Sequence, residues 1–208
     1  MTYRPSAGQL PDREAIPVPY TWDLSHICLN WEQWSGIYRQ LEGEIEAFKS
    51  RQGTLARGAQ ALVDAFRAMD RIGALSYRIW YYASLRYDED QRDNDVNARR
   101  QQVQILFARE HQANSWFNPE LLAIPLDTIH QWMETSSDLA LYRFAIENLY
   151  RQQEHVLDEA GERLMSLSSR LSQAPYDAYA ALSTADARFP KVTLSDGEEV
   201  TVSYGQYR

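Results

Sequence analysis

The sequence predicts an all-α protein, built from antiparallel helical hairpins, that ends in a β-hairpin. Only nine of the 208 residues are glycine, whereas helix-forming residues such as Leu, Ala, Arg, Gln and Glu are abundant. Apolar residues recur at spacings of three and four through most of the chain, which is the period of an amphipathic helix. Near the end, apolar and polar residues instead alternate on both sides of Asp196–Gly197, a pattern typical of a hairpin turn.

The same patterns predict three parts along the chain. Residues 1–19 are rich in proline and lack periodicity, which predicts an extended or disordered leader. Residues 20–186 carry the helical periodicity and form the predicted helical domain. Residues 187–208 form the predicted β-hairpin.

The first helix is predicted to begin after Asn30, a good N-cap, with Glu32 in its first turn. We expect it to end at Gly53. The residues that would face the core of the protein recur at helical spacing. They are Trp34, Ile37, Tyr38, Leu41, Ile45 and Phe48.

Two long helices are predicted next, from about Thr54 to Arg86 and from about Arg92 to Trp116. Each has an apolar stripe that can pack against neighbouring helices, and core packing accounts for the aromatic residues in it better than a cofactor box does. The first stripe contains Leu62, Phe66, Met69, Ile72, Leu75, Ile79 and Tyr82. The second contains Val96, Val103, Leu106, Ala113 and Phe117.

Shorter helices are predicted in the remainder of the helical domain. Asn118 is a candidate N-cap with Pro119 at the first helical position, and Pro125 restarts a second short helix. Pro175 is predicted to bend or restart a helix that continues to about Ala185. Two further apolar series mark helices: Leu139, Tyr142, Ile146 and Leu149, then Leu157, Leu164, Leu167 and Leu171.

Composition excludes several classes of function. The net charge of −8 and the pI near 5.0 disfavour binding to nucleic acids or to anionic membranes, because both need clustered Lys and Arg. Cys28 is the single cysteine, so an intrachain disulfide and a multi-cysteine zinc site are excluded. The start of the chain has no apolar segment typical of a secretory signal. We therefore expect a cytoplasmic protein.

Residues 88–95 hold five carboxylates, a density that could indicate an ion-binding site. An EF-hand loop needs Asp or Asn at position five, Gly at position six and Glu at position twelve. Counted from Asp88, these positions hold Arg92, Asp93 and Arg99, so the calcium template fails. The alternative explains more: Asp90, together with Asp93 or Asp95, would cap the helix that follows.

Glu110 falls on the apolar stripe of its helix, beside His111. A buried glutamate at such a position is either a catalytic acid or a structural group paired with a nearby Arg or Tyr, and we favour the structural reading.

Other metal and nucleophile motifs are absent or incomplete in the sequence. The zinc motif His-Glu-x-x-His does not occur, and His155 with Glu159 supplies at most two ligands. Asp23-x-x-His26 and Asp127-x-x-His130 come nearest to a di-iron pattern but are rejected. Cys28 has only His26 close to it in sequence. The residues therefore predict no catalytic and no metal-binding group, and they leave substrate-binding residues unassigned.

Six segments, taken in order, resemble the N-terminal region of oligoendopeptidase F, a zinc metallopeptidase of the thimet oligopeptidase-related group. The resemblance covers residues 20–208. The segments are "YTWDLSHI", "WEQW", "YYASLRYDED", "ANSWFNPELL", "HVLDEAGERLM" and "RFPKVTLSDGEEVTVSYGQY".

The resemblance implies a cytoplasmic, largely helical metallopeptidase whose internal channel admits short peptides and excludes folded proteins. It also implies a catalytic zinc on His-Glu-x-x-His with a further glutamate ligand, all C-terminal of Arg208. The chain would then be the N-terminal part of a larger oligopeptidase fold, walling the channel and inactive without its C-terminal catalytic region. The alternative is a free-standing helical module that binds peptides or a partner protein without catalysis.

Overall fold

The computed structural model describes residues 13–183 and 188–202, in which eight α-helices precede a two-stranded antiparallel sheet. The predicted fold class is confirmed. The helices are α1 (Trp31–Lys49), α2 (Ala59–Glu89), α3 (Asn94–Asn114), α4 (Phe117–Leu122), α5 (Leu126–Thr135), α6 (Ser137–Ala140), α7 (Arg143–Arg151) and α8 (Glu159–Ala181). The strands are β1 (Lys191–Thr193) and β2 (Glu199–Thr201).

The chain divides into two compact units. One unit is Leu24–Arg170, and the other comprises Met1–Asp23 with Leu171–Arg208, so that the division falls within α8. The described part of the predicted leader, residues 13–19, contains the 3-10 turn Arg13–Ala15 and the start of a second, Val18–Tyr20. The predicted boundaries after residues 19 and 186 stay predictions.

Helix α1 forms as the sequence predicts. The Asn30 side chain accepts a hydrogen bond from the Gln33 backbone N–H at 2.9 Å and so caps the helix. Five of the six predicted stripe residues are buried, and Tyr38 is half-buried. The helix ends at Lys49, four residues before Gly53. Gly53 instead occupies the following turn with φ of +78°, a conformation that favours glycine.

Helix α2 begins later than predicted and continues further. Residues 55–57 form a 3-10 turn. Gly58, with φ of +136°, is not helical and separates this turn from α2, which starts at Ala59. The predicted stripe is buried except for Met69 and Leu75, which are partly buried against the same core. The apolar stripe of α2 therefore packs into the protein core, as predicted.

The core of the unit Leu24–Arg170 is formed where α1, α2 and α3 pack against one another. The indole Nε1 of Trp34 donates to the carbonyl of Ile79 at 2.9 Å, which joins α1 to α2 in the buried interior. The ring of Phe48 lies 5.1 Å from that of Trp116 and 5.9 Å from that of Phe117, centroid to centroid. These are distances at which aromatic pairs attract beyond simple burial.

Two short-helix predictions are corrected. Helix α4 begins at Phe117, so Asn118 is not its N-cap and Pro119 is its third residue, where the missing N–H still costs nothing. The helix predicted from Leu139 to Leu149 is two helices, α6 and α7, which are separated at Leu141–Tyr142. Pro125 directly precedes α5, as predicted.

Helix α8 runs through Pro175 as one helix, so the alternative that Pro175 restarts a helix is wrong. The predicted end near Ala185 lies outside the described residues, and α8 itself ends at Ala181. Its leucines are exposed, in contrast to the apolar stripes of α1 and α2.

The hairpin forms at the predicted turn. Val192 pairs with Val200 in antiparallel register, and Gly197 has a φ of +88° between the strands. Asp196 Oδ1 accepts the Glu198 N–H at 3.0 Å, and the Leu194 N–H donates to the Glu198 carbonyl at 2.8 Å. Tyr204, expected to follow the second strand, lies outside the described residues.

Candidate functional site

The acidic residues after α2 are engaged in local contacts. Asp93 Oδ1 accepts the N–H groups of Asp95 and Val96 at 2.9 and 3.0 Å, so Asp93 is the N-cap of α3. Asp90 forms a bidentate pair with the Arg92 side chain at 2.8 and 2.9 Å and also accepts the Arg92 N–H. The hydrogen bonds from Arg92 lower the pKa of Asp90 to about 2. The predicted helix cap is therefore confirmed at Asp93, whereas Asp90, predicted to share that role, binds Arg92 instead.

Replacement of the α3 cap should destabilise the protein measurably. We expect Asp93→Ala to lower the free energy of unfolding by about 1 kcal/mol, because two backbone N–H groups lose their acceptor. Asp88→Ala, which removes an exposed carboxylate from the same stretch, is the matched control and should change stability little. Urea titration of both variants checks this. Equal losses would mean that the cap contributes nothing specific.

Glu110 lies partly buried between α2 and α3. The Ser76 hydroxyl donates to Glu110 Oε2 at 2.8 Å, so the predicted Arg or Tyr partner is wrong and the partner is a serine. Ser76 is itself buried on α2, so this hydrogen bond joins α2 to α3. Burial raises the pKa of Glu110, although Ser76 and His111 oppose the shift.

The raised pKa of Glu110 gives stability a pH dependence. Its contribution is fully present below the ordinary value of 4.5 and is lost as pH rises through the higher folded pKa, because the native state then holds a buried charge. We expect Glu110→Gln to be more stable than the parent at pH 7 and equal to it below pH 4.5. Urea unfolding of both proteins from pH 4 to 8 checks this. A constant stability difference across that range would contradict it.

His130 and His155 contact carboxylates individually and do not lie together as metal ligands would. His130 Nε2 is 3.2 Å from Glu147 Oε1, and Arg143 approaches the same oxygen at 3.1 Å. His155 and Glu159 contact different partners: His155 lies 3.5 Å from Glu154, whereas Glu159 accepts from a glutamine side chain. Across residues 13–183 and 188–202, no three His, Cys, Asp or Glu side chains cluster as metal ligands would. The described residues therefore do not fit a zinc site.

Cys28 is buried in the core, next to the start of α1. Burial raises the pKa of its thiol, and the charge of Arg78 only partly offsets this. The thiolate is the reactive form of cysteine, so this environment suits a packing residue. The Arg78 guanidinium donates to the Ile27 carbonyl at 3.0 Å, which fixes the segment that leads to Cys28.

A cleft of about 540 Å³ lies where α4, α5 and α7 meet. Tyr150 lines it and donates its hydroxyl to the carbonyls of Leu121 and Ile124, so it closes the C-terminal end of α4. Burial raises the pKa of Tyr150 to about 12. Glu147 in the wall is already paired with His130 and Arg143. Tyr150 and Glu147 in the wall of the cleft are thus engaged in structural contacts.

Glu120 is a structural residue that the sequence analysis missed. Its two carboxylate oxygens accept the backbone N–H groups of Gly53 and Leu55 at 2.7 and 2.8 Å. The bonds fix the turn between α1 and α2 from a helix more than sixty positions away in sequence. No local pattern around Glu120 indicates such a partner.

Helix α8 carries an exposed apolar side. Leu164, Leu167, Leu171 and Tyr179 are all exposed. Because successive residues of an α-helix are rotated by about 100°, these four side chains share one side of the helix about 120° wide, which we call the α8 apolar face.

In the described part of the chain no helix is both long enough and apolar enough to cross a bilayer.

Comparison with known proteins gives consistent matches. A family model described as Oligopeptidase F matches residues 120–189. Oligopeptidase PepF of Bacillus subtilis is 28% identical over 207 residues, which cover 100% of this chain and 31% of that protein. The plasmid-encoded oligoendopeptidase F of Lactococcus lactis subsp. cremoris is 22% identical over 197 residues, covering 94% of this chain and 33% of its own length.

A solved structure gives the same result. The crystal structure of oligoendopeptidase-F from Enterococcus faecium superposes with a TM-score of 0.76 at 30% identity, over 85% of this chain and 34% of that one. The chain thus spans about a third of the length of the relatives it matches. The resemblance to the N-terminal region of oligoendopeptidase F is confirmed.

Proposed function

We propose that this chain, similar along its whole length to the N-terminal region of oligoendopeptidase F, is the N-terminal portion of a zinc-dependent metalloendopeptidase that hydrolyses short oligopeptides. One observation carries the proposal. The match to the Bacillus subtilis oligopeptidase covers 100% of this chain but only 31% of that protein. A match of this form is expected when a chain corresponds to one structural part of a longer enzyme.

The zinc would be held by residues outside this chain. The sequence contains no His-Glu-x-x-His, and the described side chains do not fit a metal site. When bound, zinc would supply an activated water and a polarised peptide carbonyl. We therefore infer that the chain alone is inactive and that no residue of it is catalytic.

From the same resemblance, we propose that this portion walls a channel that admits short peptides. A rigid helical scaffold suits that role, because a surface that excludes folded proteins must keep its shape. The interlocked packing of α1, α2 and α3 around a buried aromatic cluster supports such rigidity. Its partners would be short peptides and the C-terminal catalytic region, and its location the cytoplasm.

A second candidate is a helical binding module without catalysis. The observation that favours it is a stacked pair of exposed rings on α2, Tyr77 and Tyr81, with centroids 5.7 Å apart and an interplanar angle of 16°. Exposed tyrosines of this kind bind peptides at low entropic cost. The pair is equally compatible with a channel wall, and the match to peptidases supports the first proposal.

Reading the gene downstream of codon 208 tests the proposal. We expect an open reading frame that continues for about twice the present length, since the relatives are about three times longer than this chain, and that contains an in-frame His-Glu-x-x-His. A stop codon directly after residue 208 would support the binding module instead.

A further inference from the structure

The α8 apolar face consists of side chains that are usually buried in a protein core, yet here they are exposed to solvent. Leu164 and Tyr179 lie on the same side of this 23-residue helix, and they are 68% and 67% exposed. Further large apolar side chains flank the face and are exposed as well. They are Leu157, Met165, Tyr176 and Leu182.

The other long helices show how unusual this exposure is within the same molecule. On α1 and α2 the predicted apolar stripes are buried or partly buried, and Leu41 and Leu62 are 0% exposed. Charged residues of α8, such as Glu162 and Asp177, fall on the opposite side at the helical rotation. Soluble proteins rarely expose a contiguous apolar patch several turns long, so such a patch marks an interaction surface.

We propose that the α8 apolar face is the surface against which the C-terminal catalytic region of the same polypeptide packs. The proposal rests on the proposed function, because it requires that region to exist. The relatives are about three times longer than this chain, so the polypeptide would contain a region large enough to cover four helical turns. The segment that matches the Oligopeptidase F family, residues 120–189, includes all of α8.

The chemistry of the face fits this occupant better than the alternatives. The face carries leucines and a tyrosine and no charged group, which is the composition of a permanent interface. A peptide substrate must be released after cleavage and offers polar backbone and charged termini, for which this face has no complementary groups. A second copy of the chain would have to meet the same helix in a symmetric contact, which is an outcome that the experiment below detects.

Hydroxyl-radical footprinting of the full polypeptide tests the proposal. Tyr179 and Tyr77 are matched probes, 67% and 64% exposed in this chain, and Tyr77 lies on a different helix, α2. We expect Tyr179 to be oxidised several-fold more slowly than Tyr77, independently of protein concentration. Equal oxidation rates would overturn the proposal. Protection of Tyr179 that disappears on dilution would also overturn it, in favour of a second copy.

Two leucine-to-lysine variants test the packing of the α8 apolar face independently. We expect Leu164→Lys in the full polypeptide to lower the midpoint of thermal unfolding and to restore oxidation of Tyr179. Leu29→Lys is the matched control, because Leu29 is also 68% exposed but lies in the loop before α1. Equal behaviour of the two variants would contradict the proposal.

Peptide hydrolysis by the same preparation separates this inference from the proposed function. A full polypeptide that cleaves peptides but oxidises Tyr179 as fast as Tyr77 would overturn the packing proposal and leave the proposed function intact. A gene that ends at codon 208 would overturn both, because the proposed occupant would not exist.

Discussion

Phe48→Ala should lower the free energy of unfolding by about 4 kcal/mol, the range found for buried phenylalanines. Phe48 is 0% exposed at the C-terminal end of α1, and its ring contacts those of Trp116 and Phe117. Its removal leaves a cavity between α1 and the segment that joins α3 to α4, and it also removes two ring–ring contacts. Urea titration followed by tryptophan fluorescence measures the loss.

The matched control makes the same chemical change on the surface. Phe144 is 79% exposed on α7, so Phe144→Ala should change the free energy of unfolding by less than about 0.5 kcal/mol. A loss at Phe144 as large as that at Phe48 would show that the packing described for the aromatic cluster does not determine stability.

Glu120→Ala should cost about 2 kcal/mol, because two charge-assisted hydrogen bonds are lost at once. Without the carboxylate, the N–H groups of Gly53 and Leu55 lose the acceptor that holds the turn between α1 and α2. Leu55 is fully buried, so a loosened turn also weakens the core beneath it. Thermal and urea unfolding of the variant measure this cost.

Two further variants separate the hydrogen bonds of Glu120 from its charge. Glu120→Gln keeps one carbonyl oxygen as an acceptor and should lose about half as much stability as Glu120→Ala. Glu46→Ala removes an exposed glutamate from α1 and should be nearly neutral. If Glu46→Ala were as costly as Glu120→Ala, net charge and not the turn contacts would explain the effect.

The features that sequence predicted well depend on local information. The Asn30 cap, the α1 and α2 stripes and the Asp196–Gly197 turn each arise from residues within a few positions of one another. Helix starts were less predictable. Helix α2 starts at Ala59 because a 3-10 turn and Gly58 precede it, and neither is visible in the apolar period.

Contacts between distant elements could not be predicted from the same information. Glu110 was expected to meet Arg or Tyr, but the packing of α2 on α3 brings Ser76 to it from 34 positions away. Glu120 reaches the turn at Gly53 for the same reason. The spacing of the leucines in α8 indicates an apolar face but not whether it is covered, because burial is a property of the neighbour as much as of the helix.

The candidate site shows the same division. The sequence from Asp88 to Arg99 does not match the EF-hand calcium-binding pattern. In the structure, the carboxylate of Asp90 binds Arg92 and that of Asp93 caps α3. The resemblance to oligoendopeptidase F rests on six ordered segments, since no local motif in the sequence indicates peptidase chemistry.

Hydrolysis of a quenched-fluorescence short peptide tests most directly whether this chain is the N-terminal portion of a zinc oligopeptidase. The full polypeptide should cleave the peptide, lose activity to a metal chelator and recover it when zinc is restored, whereas residues 1–208 alone should be inactive. Absence of cleavage by the full polypeptide, or activity that survives exhaustive chelation, would contradict the assignment.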